Sequence, residues 1–128
     1  MKLLLDTHVL LWAAADLLPQ SAEKYLRDES NDLFFSPASI WEVVIKHGLN
    51  RPDFNTDPHL LYNALIENGY NHLPITAEHT LLTGTLPQIH KDPFDRILLA
   101  QSIAAGITLL TADDILINYP APVILVKK

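Results

Sequence analysis

Short, dominantly apolar runs alternate along this chain with longer segments whose apolar residues recur at helical spacing. The runs at residues 2–5, 32–36, 72–75, 107–110 and 123–126 predict five strands. Apolar residues at consecutive positions fit strands covered on both faces. The third run contains Pro74, which lacks a backbone donor and so marks a sheet edge. Between the runs, Ser36-Pro37, Asp57-Pro58 and Asp92-Pro93 each place a capping side chain before a proline at the first helical position. The first two helices are expected to stop at Gly48 and Gly69 as left-handed caps, and the third to run through Leu98, Leu99 and Ile103 to Gly106. Shorter helices are predicted over residues 9–15, 19–29, 76–85 and 113–117. Strand–helix alternation of this kind predicts an α/β fold with a largely parallel sheet. Without repeats or a linker, the 128 residues read as one domain over 1–128.

Composition narrows the possibilities. There is no cysteine, which removes disulfides, zinc–thiolate sites, iron–sulfur clusters and a thiol nucleophile, and suits a reducing, cytoplasmic setting. The opening Met1-Lys2-Leu3-Leu4-Leu5-Asp6 meets a carboxylate too early for a secretory apolar region, and the longest apolar run, residues 9–15, falls far short of a membrane span of ~20 residues. A soluble protein is expected. Nine Lys+Arg against fifteen Asp+Glu leave a formal charge of −6. A protein that grips nucleic acid by charge alone is basic, so action on a polyanion here requires a local basic patch, a bound cation or a cationic partner.

In open α/β sheets, ligands gather beyond the carboxyl ends of the strands, where strand order reverses. Asp6-Thr7-His8 follows the first strand and Thr111-Ala112-Asp113-Asp114 the fourth. Neighbouring placement of those strands would bring Asp6 and Asp113 within metal-bridging reach. The second strand feeds a helix carrying Glu42, and the helix before the fourth strand opens with Asp92-Pro93-Phe94-Asp95-Arg96. Each acid also has a plain structural reading. Asp92 is a natural N-cap, Asp95 could complete a capping box, and Asp113 or Asp114 could cap the short helix that follows. Glu42 stands four residues before Lys46, the spacing of an ordinary ion pair, although the apolar Ile40, Trp41, Val43 and Val44 place it near a packed boundary. Asp6 has the weakest structural reading. It ends a buried strand where no cap beyond Thr7 is needed, and an ionised carboxylate there is costly without a cation. Converging carboxylates repel unless a cation neutralises them. An all-oxygen donor set points to Mg²⁺ or Mn²⁺, which support phosphoryl chemistry. The six histidines show no zinc spacing and read as surface or capping residues, apart from His8, two positions past Asp6. Trp12 and Trp41 read as core rather than as stacking platforms.

Taken together, these segments resemble the PIN-domain nucleases, and among them the VapC-type toxins of toxin–antitoxin pairs. The likeness rests on Leu4-Leu5-Asp6-Thr7-His8-Val9-Leu10-Leu11-Trp12, on Ser36-Pro37-Ala38-Ser39-Ile40-Trp41-Glu42-Val43, on His90-Lys91-Asp92-Pro93-Phe94-Asp95-Arg96-Ile97-Leu98-Leu99-Ala100-Gln101, and on Leu109-Leu110-Thr111-Ala112-Asp113. The four blocks stand in family order across nearly the whole chain. The resemblance implies a PIN-like three-layer α/β/α fold with a five-stranded, mostly parallel sheet. It assigns Asp6, Glu42, Asp95 and Asp113 as catalytic, metal-binding acids for one or two Mg²⁺ or Mn²⁺ ions that activate water against an RNA phosphodiester. It also implies a homodimer and a VapB-like antitoxin whose C-terminal segment covers the site. Thr111 is carried over as a residue that bonds a water near the metal. His8 stands where many members carry Asn, and Asp114 leaves the register of the last ligand open. Thr7, His8, Lys46, Asp92, Arg96 and Thr111 are expected to support ligands or meet substrate, with Lys46, Lys91 and Arg96 available to phosphates. A basic antitoxin arm could enter the same acidic pocket in place of the cation.

Other readings fare worse. An aspartyl-phosphate hydrolase needs an acid two residues after Asp6, where His8 stands, and a receiver module needs an Asp after the third strand, where Thr76-Ala77-Glu78 follows. A PIN-fold nuclease of RNA processing outside a toxin–antitoxin pair, or a non-catalytic PIN-fold binding module, remains as an alternative on the same fold.

Overall fold

The computed structural model describes residues 1–127; the last position of the expected domain, Lys128, lies outside the described residues. Five strands, β1 (Lys2–Leu5), β2 (Asp32–Phe35), β3 (Asn71–His72), β4 (Thr108–Thr111) and β5 (Val123–Leu125), form one sheet in the order β3-β2-β1-β4-β5. All four pairings are parallel. The chain therefore builds outward from β1 in one direction to β3, then returns to place β4 on the other side of β1. The switch in direction lies between β1 and β4, where Leu5 pairs with Leu110.

Side chains alternate across these strands with a period of two. Leu3 and Leu5 of β1 face one layer, together with Phe35, Leu110, Val9, Leu10, Ala22, Val43, Leu61 and Leu65. Phe35 and Leu110 belong to β2 and β4, while Val9 and Leu10 come from α1 (Thr7–Ala14), Ala22 from α2 (Gln20–Arg27), Val43 from α3 (Pro37–Gly48), and Leu61 and Leu65 from α4 (Pro58–Glu67). Leu4 and Leu109 face the opposite layer with Leu98, Leu99, Ile107 and Leu116, covered chiefly by α6 (Pro93–Ala105). The short α5 (Ala77–Leu82) packs beside α6. This is the expected three-layer α/β/α arrangement. Helix starts follow the capping rules: Ser36 accepts from the Ala38 amide, Asp57 from those of His59 and Leu60, and Asp92 from those of Phe94 and Asp95. Gly106 ends α6 at φ +67°, a conformation that costs a side-chain-bearing residue more than glycine.

Several local expectations are corrected. β3 occupies Asn71–His72 rather than 72–75. After Leu73 donates to the Phe35 carbonyl at 2.9 Å, Pro74 has no donor with which to continue. Gly48 is the last residue of α3, not a left-handed cap; that conformation falls to Asn50, at φ 52°. α1 begins at Thr7, two residues before the expected start, because Asp6 caps it. Trp41 is not core. It is 63% exposed on α3, and Val44, Ile45 and Leu49 are exposed with it, while Val43 of the same helix is fully buried. Trp12 does pack against the first hydrophobic layer. Among the described residues, no helix is long and apolar enough to cross a membrane.

Leu110 is fully buried at the centre of the sheet. Replacing it with alanine removes apolar contacts and leaves a void, so Leu110→Ala is expected to cost about 2–5 kcal/mol in urea unfolding followed by circular dichroism.

Candidate metal centre

The site forms where the sheet reverses direction. Asp6 immediately follows β1 and is 4% exposed. One of its carboxylate oxygens accepts from the Val9 amide at 2.9 Å, which caps α1. The other accepts from the Thr111 hydroxyl and from the Ala112 amide at 3.3 Å, both at the end of β4. The Asp6 amide donates to the Leu110 carbonyl at 3.0 Å, continuing the β1–β4 ladder by one step. Asp6 thus carries the helix-capping role expected of Thr7. Thr7 turns inward instead, donating through its hydroxyl to Ser39 of α3 at 2.9 Å.

From the same end of β4, Thr111 also accepts from the Asp113 amide at 3.0 Å. Asp113 caps the following 3₁₀ turn through the Ile115 amide, and its second oxygen lies 3.6 Å from His90 Nε2. Asp95, in the first turn of α6, places an oxygen 2.9 Å from the same nitrogen. Asp95 does not complete a capping box; Asp92 alone caps α6. One potential ligand atom each from His90, Asp95 and Asp113 lies within 4.8 Å of the others. His90 belongs to the third sequence block; the absence of zinc-type spacing among the histidines predicts a surface or capping residue, and the structure instead sets it between two carboxylates.

Glu42 and Lys46 reach the cleft from α3. They form the i,i+4 ion pair at 2.9 Å, with the Glu42 side chain only 13% exposed, so pairing and burial hold together here. Asp6, Glu42, Asp92, Asp95, Asp113 and Asp114 all line one cleft of about 820 Å³. His8 and Trp12 stand on its wall with ring centroids 4.4 Å apart. Two expected phosphate-holding cations are placed elsewhere. Lys91 is exposed and does not line the cleft. Arg96 turns away from it and donates to the carbonyls of Thr83, Leu86, Pro87 and His90.

The family model for the PIN domain matches residues 3–122. The chain belongs to the PIN-domain family. No curated protein matches the sequence significantly. Solved structures similar to this PIN domain include VapBC2 of Rickettsia felis bound to a fragment of its promoter, at a TM-score of 0.70 and 18% identity over 99% of this chain and 98% of that one. DNA-bound VapBC of Salmonella typhimurium matches at 0.70 and 15% identity, covering 97% of each chain. VapBC-5 of Mycobacterium tuberculosis, from the VapBC family of toxin–antitoxin systems, matches at 0.61 and 15% identity over 99% and 98%. At such identities the likeness shows a shared fold.

The electrostatics of the PIN domain's cleft follow from its crowding. Burial pushes the Asp6 carboxyl above its ordinary range, with the Thr111 hydroxyl, the Val9 and Ala112 amides and His8 opposing that shift. Asp95 is pushed up to about 7, first by burial and then by the negative charge of Asp92, while the His90 contact pulls the other way. Carboxyls held this way resist ionising until a cation arrives. The donors around the cleft are mostly carboxylate oxygens, which fit a hard divalent cation.

Because Asp95 binds its proton more tightly folded than unfolded, its contribution to stability is full below about pH 4 and lost as pH rises through about 7. Metal-free protein is therefore expected to lose melting temperature between pH 5 and pH 8, and Asp95→Asn to flatten that slope. Thermal denaturation in chelator across this range checks it; an unchanged slope in the variant contradicts the assignment.

Proposed function

We propose that this PIN domain is a VapC-type toxin: a Mg²⁺- or Mn²⁺-dependent endoribonuclease inhibited by a cognate VapB-like antitoxin. The observation that carries the reading is the meeting of Asp6, Glu42, Asp95 and Asp113, distant along the chain, around one cleft at the sheet's switch point. Structural likeness to chains from VapBC complexes supports the toxin–antitoxin setting.

On this reading Asp6, Asp95 and Asp113 would hold the cation, and Glu42, paired with Lys46 in this structure, would be the fourth acid available to it. When bound, the divalent ion supplies an acidified water and charge neutralisation at the departing oxygen. The chain's own residues do the rest. Thr111 fixes the orientation of Asp6, and through the Asp113 amide it sets the start of the turn that presents Asp113. Lys46 and Lys127, which line the cleft, offer charge to the phosphate backbone. His8 and Trp12 give a nucleobase an aromatic wall.

The same surface suits protein partners. Trp41, Val44, Ile45 and Leu49 project from one side of α3 as an exposed apolar stripe, which supports self-association as a homodimer or cover by the antitoxin. A basic arm of the antitoxin would meet the acidic cleft and compete with the cation for its carboxylates.

Asp6→Asn is expected to lower Mg²⁺- or Mn²⁺-dependent RNA cleavage by more than about a hundredfold and to relieve growth arrest on expression. The fold should survive, because an asparagine side chain can still cap α1. Cleavage assays on purified protein, with circular dichroism as the folding control, decide the matter; cleavage at the wild-type rate sinks the proposal.

A further inference from the structure

We propose that His90 is a nitrogen ligand of this centre, and that it biases the site toward Mn²⁺ and other first-row transition ions over Mg²⁺. The inference rests on the metal-dependent reading above and adds to it a fifth ligand and a metal preference.

The first support is how firmly the histidine is placed. His90 lies in the segment between the 3₁₀ turn Thr83–Thr85 and α6, a stretch without regular structure of its own. Arg96 ties that segment down from inside α6. Its guanidinium donates to the carbonyls of Thr83 at 2.7 Å, Pro87 at 2.9 Å, and Leu86 and His90 at 3.3 Å. From the other side, the His90 amide donates to the Tyr119 hydroxyl at 2.7 Å, and that hydroxyl reaches back to the His90 carbonyl at 3.3 Å. Both main-chain polar groups of His90 are thereby held, by residues from two different parts of the fold. A surface histidine needs no such clamp.

The second support is the spacing of the donor atoms. His90 Nε2 stands 2.9 Å from Asp95 Oδ2 and 3.6 Å from Asp113 Oδ2. Two ligands each ~2.1 Å from one ion are separated by ~3.0 Å at right angles and ~3.4 Å at the tetrahedral angle. The 2.9 Å separation, which is also a hydrogen-bond distance, lies at the right-angle value, and the 3.6 Å separation lies just beyond the tetrahedral one, so a movement of a few tenths of an ångström brings these donors onto one ion. The imidazole is also the one non-oxygen donor in the cluster.

The chemistry then gives the preference. Mg²⁺ takes oxygen donors and parts with its water reluctantly, whereas first-row transition ions accept imidazole readily. A histidine that only oriented Asp95 by a hydrogen bond would assist both kinds of ion alike. The two roles therefore differ in what is lost with the ring.

Calorimetric titration of the metal-free full chain with MnCl₂, CoCl₂ and MgCl₂ separates them. His90→Gln is expected to weaken Mn²⁺ and Co²⁺ at least ~10-fold while changing Mg²⁺ less than ~3-fold. Pulsed electron paramagnetic resonance of the Mn²⁺-loaded wild-type protein supplies a reading that needs no variant: ¹⁴N coupling from a directly bound imidazole is expected, and it should vanish in His90→Gln. Equal losses for all three ions, absence of ¹⁴N coupling, or coupling that persists in the variant overturns the role of His90 and leaves the metal-dependent reading intact. Failure of the wild-type protein to bind any of the ions overturns both.

Discussion

The hydrogen bonds that converge on Asp6 hold the architecture and the site together. One carboxylate oxygen starts α1, and the other is gripped by the hydroxyl and amide at the end of β4. Those grips exist only because β1 and β4 are parallel neighbours with Leu5 opposite Leu110. The sheet's change of direction opens a crevice there, and Asp6 is the residue that closes its floor. Capping and site-building are usually weighed as alternatives for an acidic residue. Here a single carboxylate does both, since its two oxygens point to different elements. Asp113 repeats the pattern, with one oxygen on the Ile115 amide and the other toward His90.

Concentrating acids at this point carries a cost in stability, visible in the raised carboxyls of Asp6 and Asp95. The fold offsets it with groups that cost little to place. Helix starts aim backbone N–H groups at Asp6 and Asp92, Lys46 neutralises Glu42, and His90 stands between Asp95 and Asp113. Each of these partners answers one local charge, so the cluster can be held together without a cation and still favour one. Residual destabilisation of this kind is typical of sites retained for function rather than for stability.

Much of this was legible in the amino-acid order, and the physical reasons are specific. β1 and β4 announce themselves because strands covered on both faces must be apolar at successive positions, and the Ser36-Pro37, Asp57-Pro58 and Asp92-Pro93 pairs mark helix starts because cap and proline requirements are local. Non-local requirements were harder to read. Arg96 looked like a phosphate ligand from its place beside Asp95, yet its acceptors are carbonyls of a loop whose path has no periodicity to read. The role of His90 is hidden for the same reason: the loop, not a helix, sets its distance from Asp95. Trp41 reads as core in sequence because α3 is apolar on more than one face, and periodicity cannot say which apolar face the sheet covers.

That uncovered face bears on how an acidic chain would work on a polyanion if the proposed reading holds. With a formal charge of −6, and with Lys46 already tied to Glu42, the cleft sets Lys127 against a larger group of acids and has little net positive charge with which to draw RNA. On the proposed reading, attraction must come from cations that enter the cleft, so the same ions that enable chemistry also make the surface habitable for phosphate. A basic protein arm satisfies the carboxylates equally well but brings no reactive water. On that reading inhibition needs no distortion of the protein: the arm would occupy the place of the cation, and the exposed apolar face of α3 would supply further affinity. On the proposed reading cofactor and inhibitor would compete for one set of acids, and Lys46, which answers Glu42 in this structure, is the side chain that either would have to displace.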